Sequence, residues 1–192
     1  MFNIKKGTIF PTDFYCVNIF DREENEKYKN FLIDYSKKSS GKVRSNRGGW
    51  QSDTNLWNQE VFKSLLEKTT SIVQTIITDI SNKQPEMVIR SMWGNINPKG
   101  GMNFTHIHPS GWMSGVYYIQ LPEKNDAITF EDPRPARMMD FQRSCLVKDE
   151  YFSHHVEVGD LLLFPSWLPH FVLPNTSDEN RISISFNIEL LV

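Results

Sequence analysis

Cysteine is scarce in this chain: only Cys16 and Cys145 occur, and their separation gives neither a metal-ligand spacing nor a disulfide framework. A small disulfide-stapled fold is thereby excluded, and a reducing, cytoplasmic setting is expected. Long apolar runs are missing as well. Nowhere do about 18 apolar residues follow one another, so no membrane-spanning helix is expected. The opening stretch MFNIKKGTIFPTDF also lacks the continuous apolar segment of a signal peptide. Positive charge is not in excess, because 21 Lys and Arg stand against 23 Asp and Glu, a formal net charge of −2. The basic residues are scattered rather than clustered, which argues against a dedicated nucleic-acid binder.

What is present is enough for a core. With 192 residues, 39% hydrophobic and 12% aromatic, the chain can bury on the order of 70% of its unfolded surface as one domain. Composition does not reveal an oligomeric state. Residues 1–84 read as an N-terminal strand with bracing helices, and residues 85–192 as a β-rich core. A strand is expected from Ile9 to Ile19, then a helix from Glu23 to Lys38, capped by Asp21 and acidic in its first turn. The loop SSGKVRSNRGGWQSDTN follows. Its Trp50 either packs over a site or anchors the loop itself. A second helix is expected from Gln59 to Asn82, where Val61, Leu65, Leu66, Ile72, Ile76, Ile77 and Ile80 recur at helical spacing and form a face to brace a sheet from outside.

From Pro85 the pattern changes to short β-branched and aromatic runs punctuated by Pro, Gly, Asn and Asp. Strands are expected at Met87 to Ile96, Met102 to Ile107, Ser114 to Leu121, Ala127 to Glu131, Phe152 to Glu157, Asp160 to Phe164, His170 to Leu173 and Arg181 to Leu190. The fold class is mainly β with flanking α-helices, and eight such strands suit a double-stranded β-helix, or jelly roll. The charged stretch from Arg134 to Glu150 is a candidate cover for the barrel mouth.

Five histidines are spread over the chain, and three of them form a metal-ligand pattern. His106 and His108 flank Ile107, and alternate residues of an extended strand point to the same face. Both can grip one cation there, with His170 arriving from another strand. Imidazole suits iron, copper, nickel and zinc, so a first-row transition metal with open coordination positions is expected. A pair two apart also arises by chance as solvated histidines. His154 and His155 are adjacent and face opposite ways on any strand, so they read as surface or loop residues.

The segments SNRGGWQS, WGNINPKGGMNFTHIHPSGWMSGVYYIQLP, FEDPR and GDLLLFPSWLPHFVLPNTSDENRISISFN, in this order, resemble the 2-oxoglutarate and Fe(II)-dependent oxygenase superfamily, including its prolyl-hydroxylase-like branch. The resemblance implies a dioxygenase that holds Fe(II) on His106, His108 and His170, uses 2-oxoglutarate and O₂ as co-substrates, and hydroxylates a substrate that the sequence does not identify. It also implies that Arg181 anchors the co-substrate. A planar guanidinium meets the far carboxylate of 2-oxoglutarate in bidentate fashion, and Ser183 shares its strand face. Tyr118 is a third contact. Its neighbour Tyr117 faces the other way. Asn103 is a further candidate, although regular pairing would put it on the strand face opposite His106. Trp93, Trp112 and Trp167 are candidate pocket walls.

The sequence departs from the superfamily at His108, where most members place Asp or Glu. Three neutral imidazoles leave the metal more electron-poor than a set containing a carboxylate. Glu131 or Asp132 in FEDPR is a candidate oxygen ligand in compensation, or else only a strand-end turn. Two other readings stay open. One is a three-histidine cupin-type metalloenzyme that does not use 2-oxoglutarate, since Gly159, Pro165 and His170 match a cupin spacing. The other is a non-catalytic metal- or ligand-binding barrel.

Overall fold

The computed structural model describes residues 3–109, 111–123, 127–135 and 151–191. The first regular element is β1 (Tyr15–Asn18), followed by α1 (Arg22–Lys38), the short strands β2 (Asn46–Arg47) and β3 (Trp50–Gln51), and α2 (Lys63–Ile80). Then come β4 (Glu86–Asn97), β5 (Met102–His106), β6 (Met113–Gln120), β7 (Ala127–Glu131), β8 (Tyr151–His155), β9 (Asp160–Pro165), β10 (His170–Val172) and β11 (Arg181–Leu191). They pair antiparallel in two sheets, one of six strands in the order β1-β9-β6-β11-β4-β3 and one of five in the order β2-β5-β10-β7-β8. This is the expected double-stranded β-helix, with the sheets facing each other and not closed into one barrel.

Side-chain alternation places the layers. On β11, Ile182, Ile184, Phe186 and Ile188 are buried on the outer face of the six-stranded sheet, with Tyr117, Leu161 and Leu163 beside them. The two helices close this face with Tyr28 and Leu32 from α1 and Leu65, Val73 and Ile77 from α2. Helix α1 starts where Asp21 accepts a hydrogen bond from the Glu24 N–H at 2.9 Å. A smaller apolar cluster, including Val116, Ile128, Phe130, Leu162 and Phe164, fills one end of the space between the sheets. On β11 the opposite face is polar and still buried: Arg181 is 6% exposed and Ser183 9%.

Three expectations need correction. The first strand is shorter than Ile9 to Ile19, because only Tyr15–Asn18 meets a partner, β9. Upstream, Ile9 and Phe10 are exposed, Phe10 takes a positive φ of 55°, and Pro11 has no N–H to give to a ladder. The loop between the helices is not irregular throughout, since β2 and β3 pair with β5 and β4. The second helix starts at Lys63, after two single-turn 3₁₀ segments at Leu56–Asn58 and Glu60–Phe62. The stretch expected to cover the mouth lies, beyond its first two residues, outside the described part of the chain.

Helix α1 can lie close to the sheet because Gly94 has no side chain: a Cβ there would come within 2.3 Å of the Leu32 side chain, itself fully buried. Gly94→Ala is therefore expected to destabilise the fold by about 1–3 kcal/mol through overpacking. Adding Leu32→Ala, itself costing about 2–5 kcal/mol, should then cost less than the sum of the two single changes, as read from urea unfolding of the double-mutant cycle. Strict additivity would contradict the close contact.

Candidate metal and co-substrate site

His106 ends β5 and His170 opens β10, and the two residues are direct partners across the ladder. Their rings lie 4.3 Å apart, centre to centre. His108 lies beyond the end of β5, so the two nearby histidines do not share a regular strand as expected. The chain turns there, with the His108 N–H bound to the Ser166 carbonyl at 2.8 Å, and carries the His108 ring to within 5.1 Å of both other rings. Ligand-capable atoms of all three side chains lie within 4.8 Å of one another.

Hydrogen bonding sets which nitrogen each ring offers. His106 Nδ1 lies 2.7 Å from the Phe104 carbonyl and His170 Nδ1 2.9 Å from the Leu168 carbonyl. A carbonyl can only accept, so both rings carry their proton on Nδ1 and keep the Nε2 lone pair. His108 Nδ1 meets Asn187 Oδ1 and Ser114 Oγ, each at 2.7 Å. Burial lowers the pKa of all three rings, with further lowering from the His106 charge at the other two. His108 falls to about 4 and His170 to about 3. Neutral imidazoles with Nε2 unprotonated are the form that binds a transition metal. The donor set therefore fits Fe(II).

The rings open into a cavity of about 640 Å³ between the sheets. Arg181, Ser183, Tyr118 and Asn103 line it together with the histidines. Arg181 donates to the Ala127 carbonyl at 2.8 Å, and its guanidinium carbon stands 5.5 Å from the centre of the Tyr118 ring. Burial pushes the Tyr118 phenol up to about 12, partly offset by the Arg181 charge. The Tyr118 hydroxyl faces the Arg181 guanidinium, and its own O–H has no acceptor among the described residues. Tyr117 points outward and donates to Asn25. Asn103 reaches the cavity despite the parity of its position, because Phe104 and Thr105 of β5 together oppose the single residue Phe171 of β10 between the His170–His106 and Val172–Asn103 pairings. This bulge turns Asn103 onto the histidine side, where it accepts from Asn97 at 3.0 Å.

Other expectations separate here. No carboxylate lines the cavity among the described residues. Asp132 closes a turn by pairing with Arg134, and Glu131 lies outside the cavity, so neither replaces the missing acid. Trp93 lines the cavity, its ring 5.4 Å from that of His108. Trp50 anchors its own loop, donating to the Ser39 carbonyl at 2.9 Å and packing on Tyr35. Trp112 packs with the outer core and Trp167 is exposed. His154 and His155 stand on β8, away from the cavity. Residues missed from sequence are Ser91, Asn95, Asn97, Ser185 and Asn187, all facing the cavity from β4 and β11. Their signal was the alternation of polar with apolar residues in SMWGNIN and RISISFN, which by itself marks a polar face without saying whether water or a ligand covers it.

A family described as "Putative 2OG-Fe(II) oxygenase" matches residues 91–187, just over half of the chain. The chain belongs to this family and is a 2-oxoglutarate-dependent oxygenase using Fe(II), 2-oxoglutarate and O₂. No curated protein matches it in sequence. Among solved structures it is similar to HygX from Streptomyces hygroscopicus with nickel, 2-oxoglutarate and hygromycin B bound, at TM-score 0.67 and 12% identity, covering 93% of this chain and 83% of that one. A prolyl-4-hydroxylase from Pseudomonas putida matches at TM-score 0.65 and 14% identity, over 94% of both chains. The viral collagen prolyl hydroxylase of Paramecium Bursaria Chlorella virus-1 matches at 0.61 and 14%, over 93% of this chain and 96% of that one. At these identities the likeness establishes the fold. No helix among the described residues is long and apolar enough to cross a membrane.

The lowered histidine pKa values fix a pH dependence for the metal-free protein. Between about pH 6.5 and the folded values, the unfolded chain holds more protons on these rings than the folded one, so stability rises with pH through that window. It is expected to be complete above pH 6.5 and to fall by on the order of 3 kcal/mol toward pH 4. Urea unfolding at stepped pH measures this, and His170→Asn should flatten the slope. An unchanged slope in that variant would contradict the assignment.

Proposed function

We propose that His106, His108 and His170 hold Fe(II) through Nε2, and that Arg181 with Ser183, Tyr118 and Asn103 binds 2-oxoglutarate in the same cavity. The observation that carries this reading is one buried guanidinium lining the same cavity as three histidines whose ligand-capable nitrogens lie within 4.8 Å of one another. When bound, the iron and co-substrate supply the oxidation that inserts oxygen into a C–H bond of the substrate. The protein orients and shields. Arg181 presents its fork to the far carboxylate, the Tyr118 and Ser183 hydroxyls complete its hydrogen bonding, and Trp93 packs beside His108.

The cavity as a whole, about 640 Å³, lies within the usual range for small-molecule sites, and it suits a small molecule or a single side chain of a larger substrate beside the co-substrate. HygX binds hygromycin B and the Pseudomonas protein is a prolyl hydroxylase, so both kinds of substrate have a precedent on this fold. The exposed free thiol of Cys16 supports a reducing, cytoplasmic setting. Family membership favours this reading over a cupin-type enzyme that dispenses with 2-oxoglutarate.

Anaerobic titration with Fe(II) and then 2-oxoglutarate is expected to develop a weak visible charge-transfer band. Arg181→Ala should weaken 2-oxoglutarate binding by about 100-fold or more, given roughly 1.5–3 kcal/mol per charged hydrogen bond, and leave metal affinity within about threefold. Arg181→Lys, which keeps the charge and loses the fork, should fall between. Wild-type co-substrate affinity in the alanine variant would refute the anchor.

A further inference from the structure

We propose that Asn187, with Ser114 and Ser166 behind it, is the positioning group that makes His108 a metal ligand where related sites use a carboxylate. The inference rests on the metal reading above and deepens it. A carboxylate has several equivalent lone pairs and needs no chosen tautomer. An imidazole offers one lone pair in one direction, and it coordinates through Nε2 only if something holds the proton on Nδ1 and fixes the ring plane.

His106 and His170 obtain this from carbonyls of their own segments, two residues back. His108 has left the regular strand and takes no such bond. Its Nδ1–H is held instead by the six-stranded sheet: Asn187 Oδ1 on β11 lies at 2.7 Å and Ser114 Oγ on β6 at 2.7 Å. These two residues are paired neighbours across the ladder. Ser114 donates to Asn187 Oδ1 at 3.0 Å, and Ser166 Oγ lies 2.9 Å from Ser114 Oγ. The Ser114 hydroxyl thereby turns its proton to Asn187, and the amide oxygen is left as acceptor for both. Ser114 and Ser166 are wholly buried. Ser166 is also the residue whose carbonyl receives the His108 N–H, so the same short segment fixes backbone and side chain of the ligand.

A cluster that served packing alone would not need an acceptor aimed at a ring nitrogen. Nor would it need to be neutral. An aspartate at 187 would make the imidazole more basic and the metal more electron-rich, whereas the amide keeps the third ligand neutral.

The test is titration of the metal-free full chain with Fe(II), and separately with Ni(II), followed by 2-oxoglutarate under anaerobic conditions, with thermal melting of each variant. Asn187→Leu and Ser114→Ala are expected to lose metal affinity by about 10- to 100-fold while still folding. Asn187→Asp keeps an acceptor oxygen, so its affinity should stay near wild type, and its charge-transfer band should move to longer wavelength. A structural role alone would make the buried charge of Asn187→Asp at least as damaging as leucine and would leave the band in place. Wild-type metal affinity in both Asn187→Leu and Ser114→Ala would overturn the proposal. Should the leucine variant not fold, a wild-type band position in Asn187→Asp together with wild-type affinity in Ser114→Ala overturns it equally. Absence of metal binding by the unaltered chain would instead sink the site reading itself.

Discussion

Along β11, Ile182, Ile184, Phe186 and Ile188 are driven out of water onto the helical layer, and the pleat then obliges Arg181, Ser183, Ser185 and Asn187 to face the other way. In a sheet open to solvent this polar row would be hydrated. Here the second sheet lies across it, and the same residues become the floor of a cavity. The arginine, the hydroxyls and the amide that contacts His108 owe their position to one alternation, and a slip of a single residue would exchange the whole set for isoleucines.

The second sheet contributes what the first cannot. His106 and His170 are brought together by the pairing of β5 with β10, and their neutral form follows from burial and from carbonyls that accept only from Nδ1. His108 crosses between the sheets. It takes its main-chain bond from the segment joining β9 to β10 and its side-chain bonds from β6 and β11. The three-histidine group therefore lies at a seam, where strand pairing and inter-sheet contacts meet. A ring in that position depends on its hydrogen-bond partners for its orientation more than a ring within a ladder does.

The absence of a carboxylate from the described lining gives the cavity a consistent electrostatic character. Neutral imidazoles, amides and hydroxyls line it together with a buried guanidinium. On the proposed reading, a dianionic co-substrate in this space would meet the Arg181 cation together with hydroxyl and amide hydrogen-bonding groups. If His108 holds the metal as proposed, a histidine in place of an acid would cost the metal some electron density and remove a repulsion from the co-substrate.

The sequence alone determined the strand and helix periods, and with them most of the element order, because alternation and helical spacing are local properties written in side-chain polarity. It also singled out the three histidines and Arg181, since few residue types bind iron or an acid in this way, and the ordered segments narrowed the family. Tertiary structure alone decided which polar faces were covered. Asn103 reached the cavity only through a bulge, Trp50 went to its own loop because Ser39 and Tyr35 stood beside it, and Asn187 found His108 from 79 positions away. Such partnerships depend on the register between sheets and on where a second layer lies. Those are properties of chain segments far apart in sequence, which no local pattern records.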